Sequence, residues 1–141
     1  MYGPLEDSSR LLPTVIRHGA QGDYPPFVHP KISRDFIYID DVVAVMRWML
    51  DSSAPNGIFN VGTGKAESFR DMITSMFKAM GRAPNIEYVD MPENIRGQYQ
   101  YFTQGSVDNL RRAGYNAGFT PLDTAVEQYV TRYLDQADRY R

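Results

Sequence analysis

The stretch Ser33–Asp51, SRDFIYIDDVVAVMRWMLD, decides the fold class. Arg34–Ile39 alternates and is rich in β-branched and aromatic residues, which predicts a short strand. Asp40 and Asp41 follow, and either is placed to cap a helix running to about Asp51. In that helix Val42, Val43, Val45, Met46, Trp48, Met49 and Leu50 cover most of the surface, which predicts deep burial. A strand that feeds straight into a helix argues for an α/β chain.

Working outward, the same alternation of elements continues. NGIFNVGTG (56–64) reads as a strand closed by a glycine turn. Ser68 and Asp71 form a capping box, and the helix behind it places Phe69, Met72, Ile73, Met76, Phe77 and Met80 on one stripe, with Gly81 as its stop. NIEYVDM (85–91) and QYQYFT (98–103) read as short strands. Ser106 is placed to cap a brief helix. Thr120, Pro121 and Asp123 supply an N-cap, an N1 proline and an N3 acid for a final helix. Its Leu122, Ala125, Val126, Tyr129, Val130, Tyr133 and Leu134 recur at helical spacing, and a charged tail follows. On the other side, Ser8 or Ser9 is placed to cap a helix that stops at Gly19, and an irregular loop leads to Ser33.

The chain has 141 residues, 43% hydrophobic and 23% charged, with a net charge of -2 and no cysteine. That length suits one domain with one core. The near-neutral balance excludes the basic field that nucleic-acid binding needs. Without cysteine there is no disulfide, thiolate metal site or thiol nucleophile. No apolar run is long enough to span a bilayer and no signal-peptide pattern is present, so a cytoplasmic location is expected. The chain enters a Tyr-Gly-Pro turn directly after Met1, which suggests a fragment whose preceding strand is missing.

VGTGKAESF (61–69) invites a phosphate-loop reading, but the third glycine of a dinucleotide fingerprint is Glu67 here, and the Walker pattern also fails. A tight strand-to-helix turn explains it better. His18 and His29 lack ligand-spaced partners, so no metal site is expected. Asp40 and Asp41 are explained by capping and the helix dipole rather than by metal or acid–base chemistry. Three arginines beside loops stand out: Arg10, Arg34 and Arg96. Their planar forks match phosphate oxygens and could converge on a diphosphate. Alternatively each pairs with a local acid, Arg34 with Asp35, Arg10 with Glu6 or Asp7, and Arg96 with Glu93. In NIRGQYQYFTQ (94–104), alternation turns Tyr99 and Tyr101 to one side and Phe102 to the other, toward the core.

The segments YGP (2–4), RDFIYIDDVV (34–43) and GIFNVGTG (57–64) before a capped helix resemble the C-terminal half of extended short-chain dehydrogenase/reductases. These are the NAD(P)-dependent nucleotide-sugar epimerases and dehydratases. GIFNVGTGKAESF, IRGQYQYFTQ and NLRRAGY look most like the ADP-L-glycero-D-manno-heptose 6-epimerase branch. The resemblance covers nearly the whole chain. It implies an α/β substrate-binding lobe, residues 1–141, of a Rossmann-type enzyme whose N-terminal nucleotide-binding half is absent. It also implies a nucleotide-diphosphate sugar as partner, with NAD or NADP used by the complete enzyme.

Carried over by motif, Arg34 contacts the diphosphate, Tyr99 the substrate, Phe27 falls near the adenosine side and Arg10 approaches the phosphates; Arg96 joins them as a candidate. The family's Tyr-x-x-x-Lys pair is missing, because Lys31, Lys65 and Lys78 have no tyrosine four residues earlier. The chain alone is therefore expected neither to bind the dinucleotide nor to transfer a hydride. Heptose epimerases carry a lysine soon after Tyr-Gly-Pro, whereas LEDSSRLLPTVIRHG (5–19) has none. That segment looks more like the dehydratase and deoxysugar-synthase branches. A stand-alone binding domain without activity is the remaining alternative. Apolar helix faces left bare by the missing half are expected to promote self-association or a homo-oligomer.

Overall fold

The computed structural model describes residues 1–3, 27–28 and 32–134. The helix expected before Gly19, with Arg10 and His18, lies outside these residues, as do His29 and the charged tail. The described chain is a mixture of short strands and helices. Strand β1 (Phe27–Val28) runs parallel to β4 (Glu87–Tyr88). A second sheet has the order β3-β2-β5, with β2 at Ser33–Asp35, β3 at Ala66–Ser68 and β5 at Phe102–Thr103. β2 is antiparallel to β3 and parallel to β5. The helices are α1 (Ile39–Asp51), α2 (Phe69–Ala79), α3 (Glu93–Arg96), α4 (Asp108–Arg112) and α5 (Leu122–Tyr129), the last running into a π-helical turn at Val130–Leu134.

The strand expected over residues 34–39 is shorter than its sequence suggests. Its neighbours β3 and β5 reach only to Asp35. Beyond that, among the described residues, Tyr2 alone pairs with it, its amide donating to the Ile37 carbonyl at 3.1 Å and its carbonyl accepting from Ile39 at 2.9 Å. Gly3 is required there, because a Cβ would lie 2.2 Å from an Ile39 methyl.

Two apolar clusters hold the elements together. In the first, the α2 stripe of Met72, Ile73, Met76 and Phe77 packs on Leu122, Ala125, Val126 and Tyr129 of α5, with Tyr2 and Tyr38 at one end. Met72, Ile73 and Met76 are fully shielded from solvent. Each such side chain contributes roughly 1.5–3 kcal/mol by leaving water. The capping box forms as expected: the Asp71 amide donates to Ser68 Oγ at 3.1 Å, and the Ser68 amide donates back to the Asp71 carboxylate at 3.2 Å. α2 stops where Gly81 adopts φ +67°, its amide closing on the Lys78 carbonyl at 3.0 Å. The second cluster joins Val45 of α1 to Leu110 and Tyr115, with Trp48, Met49, Phe59 and Val61 against them.

Several expectations change: no strand forms over residues 56–64, and α4 and α5 start from Val107 and Pro121 rather than from Ser106 and Thr120 caps. α1 is not deeply buried: Val45 is its one buried residue, while Val43 is 52%, Met46 58% and Leu50 86% exposed. It has a packed face and a bare apolar one. Neither Asp40 nor Asp41 caps it, since the helix begins at Ile39 and both acids sit in its first turn. Asp41 instead accepts from the Thr120 amide and hydroxyl at 3.0 and 2.9 Å, tying α1 to the start of α5. Phe102, expected in the core, is 60% exposed, because no described element covers its side of the edge strand β5. No described helix is long and apolar enough to cross a membrane.

The carboxylate of Asp35 binds the turn after residue 61 to the sheet. It accepts from the Thr63 amide at 2.8 Å, the Thr63 hydroxyl at 2.6 Å, the Gly64 amide at 3.0 Å and the Gly105 amide at 3.2 Å. Gly62 leaves the space this needs, since a Cβ there would lie 2.7 Å from Asp35 Oδ2.

Removing this hub orphans three amides at once, so Asp35→Ala is expected to cost roughly 3 kcal/mol in chemical denaturation. Gly62→Ala should destabilise in the same direction. Gly118→Ala, which meets no atom within 4 Å, should stay within about 0.5 kcal/mol. Equal effects at 62 and 118 would contradict the packing argument. Alkaline pH gives a second check. Burial foremost, and then the Asp40 and Tyr133 charges, push the Tyr38 phenol up to about 12. Burial and Asp41 raise Tyr2 as well. An unfolded tyrosine titrates near 10. Above that pH the unfolded chain releases protons that the folded chain keeps, so stability present below pH ~10 is lost as pH rises toward the folded values. A melting temperature that stays flat across that window, followed alongside tyrosinate absorbance, would overturn this.

Candidate functional site

Successive residues of a strand face opposite sides, and on β2 this separates Arg34 from Asp35. Asp35 turns to the glycine turn, whereas Arg34 turns to the segment before β5. The parallel register sets Arg34 beside Thr103, and the Ser33 amide donates to the Tyr101 carbonyl at 2.8 Å. The Arg34 guanidinium is held by main-chain carbonyls: Nη1 donates to Ser33 O at 2.9 Å and Nη2 donates to Gln100 O. Its central carbon stands 5.5 Å from the centroid of the Tyr99 ring. Tyr99 in turn meets Tyr101 edge-on, with centroids 5.9 Å apart. So the two residues singled out most strongly by sequence are neighbours, and Tyr99 and Tyr101 share a side as alternation requires.

The electrostatics of this cluster are uneven. No carboxylate among the described residues lies within ion-pair distance of Arg34. The pairing with Asp35 allowed by sequence does not occur, because that carboxylate is saturated by Thr63, Gly64 and Gly105. A guanidinium carries five N–H donors, and the two named bonds leave others for an incoming anion. Stacking on Tyr99 adds about 0.5–1 kcal/mol and fixes the plane of the fork.

The glycine turn is a poor match for a dinucleotide. The amides of Thr63 and Gly64, which a pyrophosphate would need, already donate to Asp35. The closeness of Gly62 to that carboxylate explains the glycine without any phosphate. The described residues therefore do not fit NAD at this turn.

The other candidates are dispersed. Arg96 ends α3 and donates to the Met91 carbonyl at 3.1 Å rather than to Glu93, and no contact joins it to Arg34 or Tyr99 among the described residues. Phe27 lies in β1, its backbone paired with Glu87. Arg10 is outside the described residues. A cavity of about 500 Å³ opens between the starts of α2 and α5, walled by Phe36, Glu67, Asp71, Phe119, Thr120 and Asp123 among others; Arg34 and Tyr99 are not among its walls.

Sequence reasoning missed Asp35 and Thr63 as partners. The signal was present, since adjacent strand residues cannot pair across the pleat and Thr63 sits in the turn that the strand's other face meets.

Residues 1–62 match the NAD dependent epimerase/dehydratase family. ADP-L-glycero-D-manno-heptose-6-epimerase from Nitratidesulfovibrio vulgaris (strain DP4) is 49% identical over 152 residues, taking in 99% of this chain and 47% of that protein. Among solved structures, UDP-glucuronic acid 4-epimerase from Bacillus cereus, in complex with UDP-glucuronic acid and NAD, superposes with a TM-score of 0.75 at 20% identity, covering 96% of this chain and 42% of that one. dTDP-glucose 4,6-dehydratase from Bacillus anthracis str. Ames, in complex with NAD, gives 0.76 at 14% identity over the same shares. At such identities these two speak to the fold alone, which is that of the Rossmann-type short-chain dehydrogenase/reductases. The chain spans about half the length of the curated relative it matches. The match over residues 1–62 and the 49% identity over nearly the whole chain make this chain similar to the NAD dependent epimerase/dehydratase family.

Proposed function

We propose that residues 1–141 form the sugar-nucleotide-binding domain of a cytoplasmic, NAD-using epimerase of the ADP-heptose 6-epimerase kind. One observation carries this reading: Arg34 is a cation held in place by two carbonyls and a tyrosine ring, with no carboxylate among the described residues within ion-pair distance. A fixed fork of this kind suits the two negative charges of a diphosphate. Tyr99 stacks against the same guanidinium, so a sugar joined to that diphosphate would meet its ring. Arg10, Arg96 and Phe27 complete the proposed set, the first two toward the phosphates and the last toward the nucleoside. In this reading the domain positions substrate, and hydride transfer belongs to a dinucleotide held elsewhere.

A second reading has its own support. Leu5–Gly19 contains no lysine, which favours a dehydratase or deoxysugar-synthase domain built on the same diphosphate clamp.

Titration calorimetry tests the reading. An ADP-sugar such as ADP-glucose should release heat on binding, and NAD should not. Arg34→Ala should weaken the ADP-sugar by on the order of 1.5–3 kcal/mol, roughly ten- to 150-fold. Unchanged affinity together with a lowered melting temperature would reduce Arg34 to a structural role. Tight NAD binding would overturn the assignment of the cofactor to a different part of the enzyme.

A further inference from the structure

Lys65 and Glu67 come from VGTGKAESF, the segment that fails as a phosphate loop, and the sheet register brings them to Arg34. β2 and β3 are antiparallel, and Glu67 stands directly across from Arg34. Directly opposed residues of such a pair point to the same face, with Cβ atoms about 4.5–5.5 Å apart, and an acid and a base so placed attract each other. Yet no ion pair joins these two.

Each is engaged on its own side. Arg34 leans toward the segment before β5, where Gln100 O accepts from Nη2 and the Tyr99 ring flanks the guanidinium. Glu67 walls the cavity from which Arg34 is absent, and its Oε1 accepts from Lys65 Nζ. Lys65 is two residues earlier on an extended chain, which puts both side chains on one face. The lysine is 76% exposed and the glutamate 20%, so Lys65 meets the carboxylate from the solvent side. That hydrogen bond and the Glu67 charge hold the Lys65 ammonium above its usual range, so the pair is intact at neutral pH. Arg70 is occupied elsewhere, 3.5 Å from Asp71.

We propose that Lys65 is a positioning residue for the anion site: by holding the Glu67 carboxylate it keeps that group off Arg34 and leaves the fork open to a diphosphate. Without the lysine, Glu67 would turn across the strand pair to Arg34. An incoming diphosphate would then have to displace a carboxylate and would face its negative charge. The effect on the anion rests on the reading of Arg34 as a diphosphate ligand, whereas the contest for Glu67 does not.

Lys65→Ala tests this, since so exposed a side chain can be shortened without loss of the fold. In the ligand-free chain, the NMR resonance of the Arg34 Nε–H group should shift on Lys65→Ala. It should return in the double variant Lys65→Ala/Glu67→Ala, and should stay in place in Lys65→Arg, which keeps a donor for Glu67. In titration calorimetry with ADP-glucose, Lys65→Ala should weaken binding roughly two- to fivefold. That loss should vanish in a Glu67→Ala background. If the lysine acted on the anion only through its own charge, binding would weaken equally in both backgrounds and the Arg34 resonance would not move; that result would overturn the proposal. An Arg34 shift that persists in the double variant would overturn it as well. A resonance that moves and returns as expected, in a chain that does not bind ADP-glucose, would uphold the contest for Glu67 and overturn the diphosphate reading instead.

Discussion

One carboxylate sets the geometry on which the candidate site depends. Asp35 collects the amides of Thr63, Gly64 and Gly105 and the Thr63 hydroxyl. These donors come from two turns distant in sequence, so the bond set closes β2 against both the turn before β3 and the loop after β5. Because β2 is pleated, fixing Asp35 on one face fixes Arg34 on the other. The loop after β5 is held by the same hub, and β5 carries Tyr99 and Gln100 just ahead of it. The cation and its aromatic neighbour are thus placed by a polar knot on the far side of the strand. The amide bonds offset what the carboxylate loses in leaving water, each bond to a charged group being worth about 1.5–3 kcal/mol.

Two arginines show how the same side chain serves different ends. Arg111 donates from Nη1 to the carbonyls of Tyr115 and Ala117 and lies over the Tyr115 and Phe119 rings, with centroids 5.6 and 5.0 Å away. It ties together the loop from Tyr115 to Phe119 and also lines the cavity at the starts of α2 and α5. Arg34 has the same kind of partners, two carbonyls and an aromatic ring, but only one ring, so one face of its fork is open. The two thus differ in their aromatic neighbours and in what they face: Arg111 lines the cavity, whereas Arg34 lies beside Tyr99 outside it.

Local rules were legible in the sequence wherever the physics is local. The Ser68–Asp71 box, the stop at Gly81, and the apolar stripes of α2 and α5 all follow from spacing within one element, and all are present. The Arg34 and Tyr99 pairing was legible through motif resemblance and alternation. What could not be read depends on partners far along the chain. Asp41 looked like a cap, yet Thr120, seventy-nine positions away, draws its carboxylate. Asp35 looked like a partner for its neighbour, yet two glycine-bearing turns take it. Phe102 was assigned to the core by alternation, which says which side a residue faces but not whether anything lies there.

The same distinction explains α1 and the segment after it. A helix apolar on most sides and a strand apolar on both faces report the environment a sequence was fitted to, whereas burial reports the surfaces present. Val45, Trp48 and Met49 find theirs in Leu110 and Tyr115, but Val43, Met46, Leu50 and Ile58 do not. Much of the mismatch falls within residues 43–58, with Phe102 a further case, while the apolar stripes of α2 and α5 are buried. A sequence that was simply a poor folder would spread such conflicts through both clusters. The Asp35 knot and the α2–α5 core nevertheless hold Arg34 in position without those residues being covered.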